Sequence, residues 1–222
     1  MSKLMLMKRK KIVAVVLIVV MSVVAILMIC FSNVVWIKPF STNGEIKYGV
    51  IDESLNEKHN NIEILNEKKC ATTTEKSHGD YVLDFIEQIS PSTSVYYYDA
   101  EVDGKITTES IILGLNWMLE NEVDCVTLSL SGKVYSDKLE SWLDNNSDKI
   151  TVYASYNNTR NSFDYPANYS NVIGIGTTQT INKKDNDVTY QTSNIIVTSF
   201  PLKKYVGNSY LTPYTMLNNN RK

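Results

Sequence analysis

From Glu45 onward, short apolar stretches typical of strands alternate with segments of helical periodicity, and this alternation constrains the fold more than any other feature. Strands are predicted over Ile46–Ile51, Ser94–Tyr98 and Cys125–Leu130, with helices over Ser77–Ile89 and Thr107–Asn121 between them. The pattern continues with a helix around Leu139–Leu143 and strands over Ile150–Ala154, Val172–Ile175 and Asn194–Val197. A βαβα order predicts one α/β domain over residues 45–222, in three layers, with helices on both faces of a mostly parallel central sheet.

The N-terminal residues have the character of a membrane segment. The run Ile12–Phe31 is apolar apart from Ser22 and long enough to cross a hydrocarbon layer of about 30 Å. The basic cluster Lys8–Lys11 precedes it, which predicts a cytoplasmic tail over residues 1–11 and a folded domain outside the cytoplasm. The length of the run favours a single-pass anchor in the cell membrane over residues 12–32, followed by a linker over residues 33–44. A cleaved signal peptide is the alternative, and it gives the folded domain the same location.

Charge and the metal-binding residue types exclude several functions. Six of the 22 basic residues and no acidic residue precede Glu45, so the remainder has 16 basic against 24 acidic residues, a net charge of −8. This acidic domain is not expected to bind nucleic acid, whose phosphates require Lys and Arg. Cys30 lies in the apolar run, which leaves Cys70 and Cys125 as a possible pair. Three scattered cysteines and two distant histidines predict no metal site, and no cofactor is indicated.

Several polar residues follow the predicted strands directly. Asp52 ends one strand, Ser129 and Ser131 end another, and Ser155 to Asn157 end a third. His78 opens a helix, and Ser209 begins a helical segment in which Pro213 is predicted to lie in the first turn. Parallel sheets form their sites in the crevice beyond the carboxyl ends of the strands, so these residues are candidates for one site. The other histidine, His59, lies in a polar Asn/Lys/Glu-rich loop and is predicted to be solvated.

Four segments resemble the catalytic motifs of subtilisin-like serine peptidases: Val50-Ile51-Asp52, Ser77-His78-Gly79-Asp80, Ala154-Ser155-Tyr156-Asn157-Asn158 and Gly207-Asn208-Ser209-Tyr210-Leu211-Thr212-Pro213. Leu128–Gly132, Asp164–Ala167 and Asn171–Gly176 also resemble family segments, so the resemblance extends from about Glu45 to the C-terminus. It implies a subtilisin-like fold and the family order Asp, His, Ser.

The resemblance also implies a role for each matching residue. His78 would accept the proton of Ser209 and return it to the leaving amine, while Asp52 would hold the imidazole in the useful tautomer. Asn157 would stabilise the oxyanion together with the main-chain N–H of Ser209. The segment Ser129, Leu130 and Ser131 would pair with an extended peptide or protein substrate, and Ala154 and Ser155 would line the pocket for the residue before the cut.

The chain departs from the family pattern beside these residues. Asp80 adds a negative charge that is expected to raise the pKa of His78, and Tyr156 replaces a glycine and is expected to narrow the pocket or shift the Asn157 amide. Only 13 residues follow Ser209, which predicts about two helical turns and leaves sheet surface for a possible partner to cover. The sequence therefore leaves two main hypotheses: a serine endopeptidase, or a membrane-tethered module that binds peptides without cleaving them. An esterase of the α/β-hydrolase type is disfavoured because no histidine follows Ser209.

Overall fold

A computed structural model describes residues 13, 15–25, 33–59, 63–68, 75–159, 164–181 and 184–221. The strands are β1 Val35–Ile37, β2 Tyr48–Asp52, β3 Glu63–Lys68, β4 Ser94–Asp99, β5 Glu101–Val102, β6 Lys105–Ile106, β7 Cys125–Leu128, β8 Thr151–Ser155, β9 Val172–Thr177, β10 Val188–Tyr190, β11 Asn194–Val197 and β12 Lys203–Val206. The helices of the same domain are α1 His78–Ile89, α2 Thr108–Glu120, α3 Asp137–Asn146 and α4 Asn208–Asn219.

The central sheet has the strand order β10-β9-β8-β7-β2-β4-β3, and every pairing in it is parallel. Strands β4 and β7 flank β2 on opposite sides, so the strand order reverses next to β2. The carboxyl ends of β2 and β7 therefore border a crevice of the kind in which α/β proteins place their sites. Asp52 is the last residue of β2, and Ser129 directly follows β7.

Two apolar cores lie on the two faces of this sheet. One core contains the buried side of α1 together with Leu211, Met216 and Leu217 of α4. The other contains buried residues of α2 and α3, such as Leu115 and Leu139. The predicted three-layer α/β architecture with a parallel central sheet is confirmed.

The starts of the helices follow from local sequence. Ser77, Thr107 and Ser136 cap α1, α2 and α3, and each side chain accepts a hydrogen bond from a main-chain N–H of the first turn. Helix α4 differs, because its cap is Gly207 with φ of +134°. Glycine adopts this conformation at little cost, so Gly207 permits the sharp entry into the helix that carries Ser209.

Some elements escaped prediction. The stretch 33–44, predicted to be a linker, contains β1, which pairs with β11 in a second sheet of order β1-β11-β12. Strand β11 was predicted, but it lies in this second sheet. Strand β3 lies within the polar stretch that was predicted to be a loop. Helix α4 has 12 residues rather than two turns, and the three apolar residues that face the sheet are fully buried. That a partner covers sheet surface near the C-terminus stays a prediction.

The N-terminal segment forms a separate unit that ends at Val34. Residues 15–25 of the predicted membrane anchor are helical. Among the residues that the structure describes, no helix has both the length and the apolar character required to cross a membrane. The predicted cytoplasmic tail over residues 1–11 lies outside the described residues, and so does Cys70. Cys125 is a buried free thiol.

Candidate active site

Asp52 and His78 form a hydrogen-bonded pair at the carboxyl end of β2. The Asp52 side chain is 1% exposed, and its Oδ1 accepts hydrogen bonds from Nδ1 of His78 at 2.8 Å and from the main-chain N–H of Glu53 at 2.8 Å. A carboxylate only accepts, so Nδ1 carries the proton and Nε2 is the basic nitrogen. The His78 side chain is about one third exposed. This is the tautomer and the accessibility that a general base needs.

Electrostatics at His78 involve two carboxylates. Burial lowers the pKa of His78, but the hydrogen bond to Asp52 and the negative charges of Asp52 and Glu53 outweigh it, so that the pKa is raised above the usual histidine value. Oε2 of Glu53 also accepts the main-chain N–H of His78 at 3.1 Å, which is favourable at a helix N-terminus. In the sequence, Glu53 is a departure from the family pattern, which usually has Ser or Thr after the Asp, but the effect of its charge on His78 was not predicted.

Asp80 does not have the predicted effect on His78. It is fully buried, and its carboxylate accepts hydrogen bonds from Nε2 of His59 at 2.9 Å, from the main-chain N–H groups of Asn56, Glu57 and Ser77, and from the Ser77 hydroxyl. Burial raises the pKa of Asp80, but these hydrogen bonds outweigh it, and the pKa is lowered. The charges that raise the pKa of His78 are those of Asp52 and Glu53 and not that of Asp80, so the expectation for Asp80 is wrong. The prediction of a solvated His59 is also wrong, because its side chain is 3% exposed.

Ser209 is the second residue of α4, and two reciprocal hydrogen bonds connect it to Ser129. The Ser209 hydroxyl donates to the Ser129 carbonyl at 3.1 Å, and the Ser129 hydroxyl donates to the Ser209 carbonyl at 2.8 Å. Pro213 explains the second bond. It is the sixth residue of α4 rather than part of the first turn, and it lacks the N–H that would otherwise bond to the carbonyl of Ser209. The Ser129 hydroxyl satisfies this carbonyl instead.

His78 and Ser209 are not hydrogen-bonded to each other in the part of the chain that the structure describes. Catalytic hydrogen bonds are commonly long in the absence of substrate and shorten in the complex, so this geometry alone does not exclude a relay. The start of α4 nevertheless lies near the pair. The Tyr210 ring packs on Phe85 of α1 with centroids 5.3 Å apart. Burial, followed by the charges of Tyr81, Asp84 and Asp52, raises the pKa of Tyr210.

Asn157 lies in the loop after β8 and is held by Asn208, the residue before Ser209. Nδ2 of the buried Asn208 donates to the carbonyls of Tyr156 at 2.9 Å and Asn157 at 3.0 Å. Oδ1 of Asn157 accepts from the N–H and hydroxyl of Thr159, and within the described residues its Nδ2 makes no hydrogen bond. The amide donor proposed for the oxyanion is therefore available. Asn208 was not recognised as a contributor from sequence.

The sequence predicted that Tyr156 narrows the pocket or shifts the Asn157 amide. In the structure the Tyr156 side chain is buried and does not narrow the crevice. Its side chain is 1% exposed, and its hydroxyl donates to Oδ2 of Asp187 at 3.0 Å. Space for the ring comes from Gly174, where an added Cβ would lie 2.5 Å from the Tyr156 ring. The large residue before Asn157 is therefore accommodated in the interior by a glycine on the neighbouring strand.

The predicted substrate segment borders a cavity of about 410 Å³. Leu130 and Ser131 line it, together with apolar residues that include Ile106, Ile111, Val134 and Leu139, and with Glu109 and Lys133. The main-chain N–H groups of Leu130 and Ser131 have no main-chain partner among the described residues, whereas Gly132 pairs in both directions with Tyr165 at 2.8 Å.

The other predicted pocket residues lie deeper. Ser129, Ala154 and Ser155 are at most 3% exposed and do not line this cavity, and Ser155 donates to the Leu130 carbonyl at 3.4 Å. Their contact with substrate stays a prediction. In the described ranges, no group of three or more His, Cys, Asp or Glu side chains is arranged to hold a metal ion.

A parallel α/β sheet with an Asp–His pair and a helix-borne serine beside its strand ends defines the subtilisin-like class of α/β proteins. A family model comparison then identifies the family. The model of the subtilase family of S8 peptidases matches residues 49–216, and the chain belongs to this family.

Curated relatives agree with this assignment. Subtilisin DY of Bacillus licheniformis is 24% identical over 152 residues, which cover 59% of this chain and 56% of that protein. Subtilisin E of Bacillus subtilis is 25% identical over 167 residues, covering 64% of this chain and 43% of that protein. The chain spans about half the length of the curated relatives it matches.

Solved structures share the fold at low identity. The prenylagaramide maturation protease PagA superposes with a TM-score of 0.63 at 13% identity, covering 81% of this chain and 75% of PagA. The nisin leader peptidase NisP of Lactococcus lactis gives a TM-score of 0.59 at 13% identity, covering 80% of this chain and 77% of NisP.

Proposed function

We propose that the chain is a serine endopeptidase that hydrolyses an extended peptide through an Asp52–His78–Ser209 triad. The observation that carries the proposal is the 2.8 Å hydrogen bond between a buried carboxylate and Nδ1 of His78. It leaves Nε2 of His78 basic, on a helix that packs against the helix carrying Ser209. Membership of the subtilase family supports the same chemistry.

In the proposed reaction, Ser209 leaves its hydrogen bond with the Ser129 carbonyl by rotation of its side chain. Its Oγ attacks the carbonyl carbon of the substrate, and its proton passes to Nε2 of His78. The developing oxyanion accepts from Nδ2 of Asn157 and from the N–H of Ser209, which lies in the first turn of α4 and has no hydrogen-bond partner among the described residues. The C–N bond then breaks, His78 protonates the leaving amine, and water hydrolyses the acyl-enzyme by the reverse proton path.

The substrate proposed is an extracytoplasmic peptide in an extended conformation. The main-chain N–H groups of Leu130 and Ser131, which have no main-chain partner among the described residues, suit the addition of a substrate strand. The apolar residues of the adjacent cavity suit an apolar side chain. Tethering to the membrane belongs to this proposal. It is supported by the apolar run Ile12–Phe31 and the preceding basic cluster in the sequence. The leader peptidase NisP, which shares the fold, is named for cleavage of a peptide.

A second candidate function is peptide binding without cleavage. It is favoured by the hydrogen bond that directs the Ser209 hydroxyl to Ser129 rather than to His78. This candidate uses the same groove but requires no proton relay.

Cleavage of a fluorogenic peptide mixture by the full chain in mild detergent separates the two candidates. The peptidase proposal predicts turnover that is lost in Ser209→Ala and His78→Ala and strongly reduced in Asp52→Asn. Binding of the same peptides by both the wild type and Ser209→Ala, with no product from either, would support the binding module and refute the peptidase. Ser92→Ala, a serine-to-alanine substitution at an exposed position, is the control for effects of substitution and purification alone.

A further inference from the structure

A second imidazole–carboxylate pair, His59 and Asp80, is buried at the start of the helix that carries His78. Nε2 of His59 lies 2.9 Å from Oδ1 of Asp80, and the two side chains are 3% and 0% exposed. Nδ1 of His59 faces another carboxylate, because it lies 3.6 Å from Oδ1 of Asp84. A carboxylate only accepts, so Nε2 of His59 is the donor to Asp80. The proposed cleavage reaction uses neither member of this pair.

The Asp80 carboxylate connects the loop after β2 to the start of α1. Its Oδ1 also accepts the main-chain N–H of Glu57 at 3.1 Å, and its Oδ2 accepts that of Asn56 at 3.1 Å. Oδ2 further accepts the main-chain N–H of Ser77 at 2.8 Å, which completes the capping box of α1. One buried carboxylate therefore holds two successive N–H groups of the loop together with the residue that caps the helix.

The loop held by Asp80 begins at Asp52, the hydrogen-bond partner of His78. His78 and Asp80 are the first and third residues of α1, so their side chains point roughly 200° apart around the helix axis. His78 contacts Asp52 where the loop begins, and Asp80 contacts the loop four and five residues further on. The first turn of α1 is thus held on two sides by one loop, which fixes it relative to the Asp52 carboxylate.

Surface ion pairs add a weaker connection between the same elements. Nζ of Lys76 lies 2.8 Å from Oε2 of Glu57 and 2.7 Å from Oδ2 of Asp84, and all three side chains are partly exposed. Exposed ion pairs contribute little to stability, whereas a buried carboxylate that loses a donor is costly. The arrangement of loop and helix is therefore expected to depend on the buried pair more than on Lys76.

We propose that Asp80, with His59 as its side-chain donor, is a positioning residue for His78: it holds the loop and the first turn of α1 so that Nδ1 of His78 reaches Asp52. Asp80 acts through this geometry and not through its charge. The inference rests on the proposed function for its catalytic meaning, but the state of the His78 ring can be measured in a protein that cleaves nothing.

Two substitutions at His59 separate positioning from charge. His59→Ala removes the donor to Asp80, whereas His59→Gln keeps an N–H group at about the reach of Nε2. Neither removes a negative charge, so a fall in the pKa of His78 cannot be a direct effect of charge. His59→Asn, whose amide is one methylene too short to reach Asp80, replaces His59→Ala if that variant does not fold.

A matched control tests for a general effect of destabilisation. Ser110 is the third residue of α2 and completes the capping box with Thr107, as Asp80 does with Ser77 in α1. Ser110→Ala therefore weakens the start of a helix without touching the loop after β2.

The readout is the ring of His78, followed by ¹H–¹⁵N correlation spectra of the imidazoles over a pH titration. The chain has two histidines, so each His59 variant leaves His78 as the single imidazole signal. The full chain is used in mild detergent and in the Ser209→Ala background, so that cleavage plays no part. Thermal unfolding of every variant ensures that spectra are recorded well below its transition.

We expect neutral His78 to be the Nδ1–H tautomer in the parent. In His59→Ala, the Nε2–H tautomer should appear and the pKa of His78 should fall by about 1, because the hydrogen bond to Asp52 is weakened. His59→Gln should restore most of the parent behaviour, and Ser110→Ala should leave both quantities unchanged. Asp80→Asn should also produce the mixture of tautomers, since its amide N–H₂ group opposes the N–H groups of the loop.

The proposal is overturned if the His59 and Asp80 variants unfold at lower temperature but keep the tautomer and pKa of the parent, because the pair is then only structural. A rise in the pKa of His78 in His59→Ala also overturns it, since that is the effect of removing a positive charge alone. Failure of the proposed function gives a different result: no peptide is cleaved, while the His78 ring still responds to His59 as described.

Discussion

The link between Ser129 and Ser209 makes a quantitative prediction about stability. In Ser129→Ala, the Ser209 carbonyl loses its hydroxyl donor, and Pro213 offers no N–H to replace it. An orphaned, partly buried carbonyl costs about 1–3 kcal/mol, whereas a hydrogen bond lost with compensation costs about 0.5–1.5 kcal/mol. The bond from the Ser209 hydroxyl to the Ser129 main chain is unaffected, because it needs no side chain at position 129.

A double-mutant cycle isolates this effect. In Pro213→Ala, the new N–H at position 213 can bond to the Ser209 carbonyl as in an ordinary helix. Ser129→Ala should therefore cost about 1–3 kcal/mol in the parent and roughly 1 kcal/mol less in the Pro213→Ala background. Urea unfolding of all four proteins, monitored by circular dichroism, gives the four free energies. If Ser129→Ala lowers the free energy of unfolding equally in both backgrounds, the Ser129 hydroxyl does not replace the N–H that Pro213 lacks, and the explanation is refuted.

Two further predictions concern Glu53 and Gly174. Glu53→Gln keeps an acceptor for the main-chain N–H of His78 but removes a negative charge that raises the His78 pKa. The acidic limb of the pH profile of kcat/KM should therefore move to lower pH, and an unchanged limb would contradict the role of that charge. Gly174→Ala places a Cβ 2.4 Å from Oδ1 of Asp187 and 2.5 Å from the Tyr156 ring. It should lower the free energy of unfolding by about 1–3 kcal/mol, and by less in a Tyr156→Ala background. Equal losses in both backgrounds would contradict the packing explanation.

The sequence was sufficient to predict the order of the main strands and helices, because each of these elements has a local sequence pattern. Helical periodicity in the sequence predicts α1 and α2, and the stretches that form β2 and β7 are mainly apolar, as expected for strands buried on both faces. The same signals placed Asp52 and His78 correctly at the ends of their elements, and their hydrogen bond follows from that placement.

Features that depend on distant contacts could not be predicted. Strand β3 has a polar sequence and is strand only because β4 pairs with it at the sheet edge. His59 is buried because Asp80, some 20 positions away in sequence, needs donors for a buried carboxylate. The inward position of Tyr156 depends on Gly174 on another strand. No local pattern encodes such partnerships.

The central claim is that Ser209 is a nucleophile activated by His78. The most direct test is labelling of the full chain with a fluorophosphonate, followed by mass spectrometry of the peptide that contains Ser209, in the wild type, His78→Ala and Ser209→Ala. We expect one adduct on Ser209 in the wild type, severe loss of labelling in His78→Ala and none in Ser209→Ala. A folded wild-type protein that acquires no adduct, or that is labelled equally well without the imidazole, would contradict it.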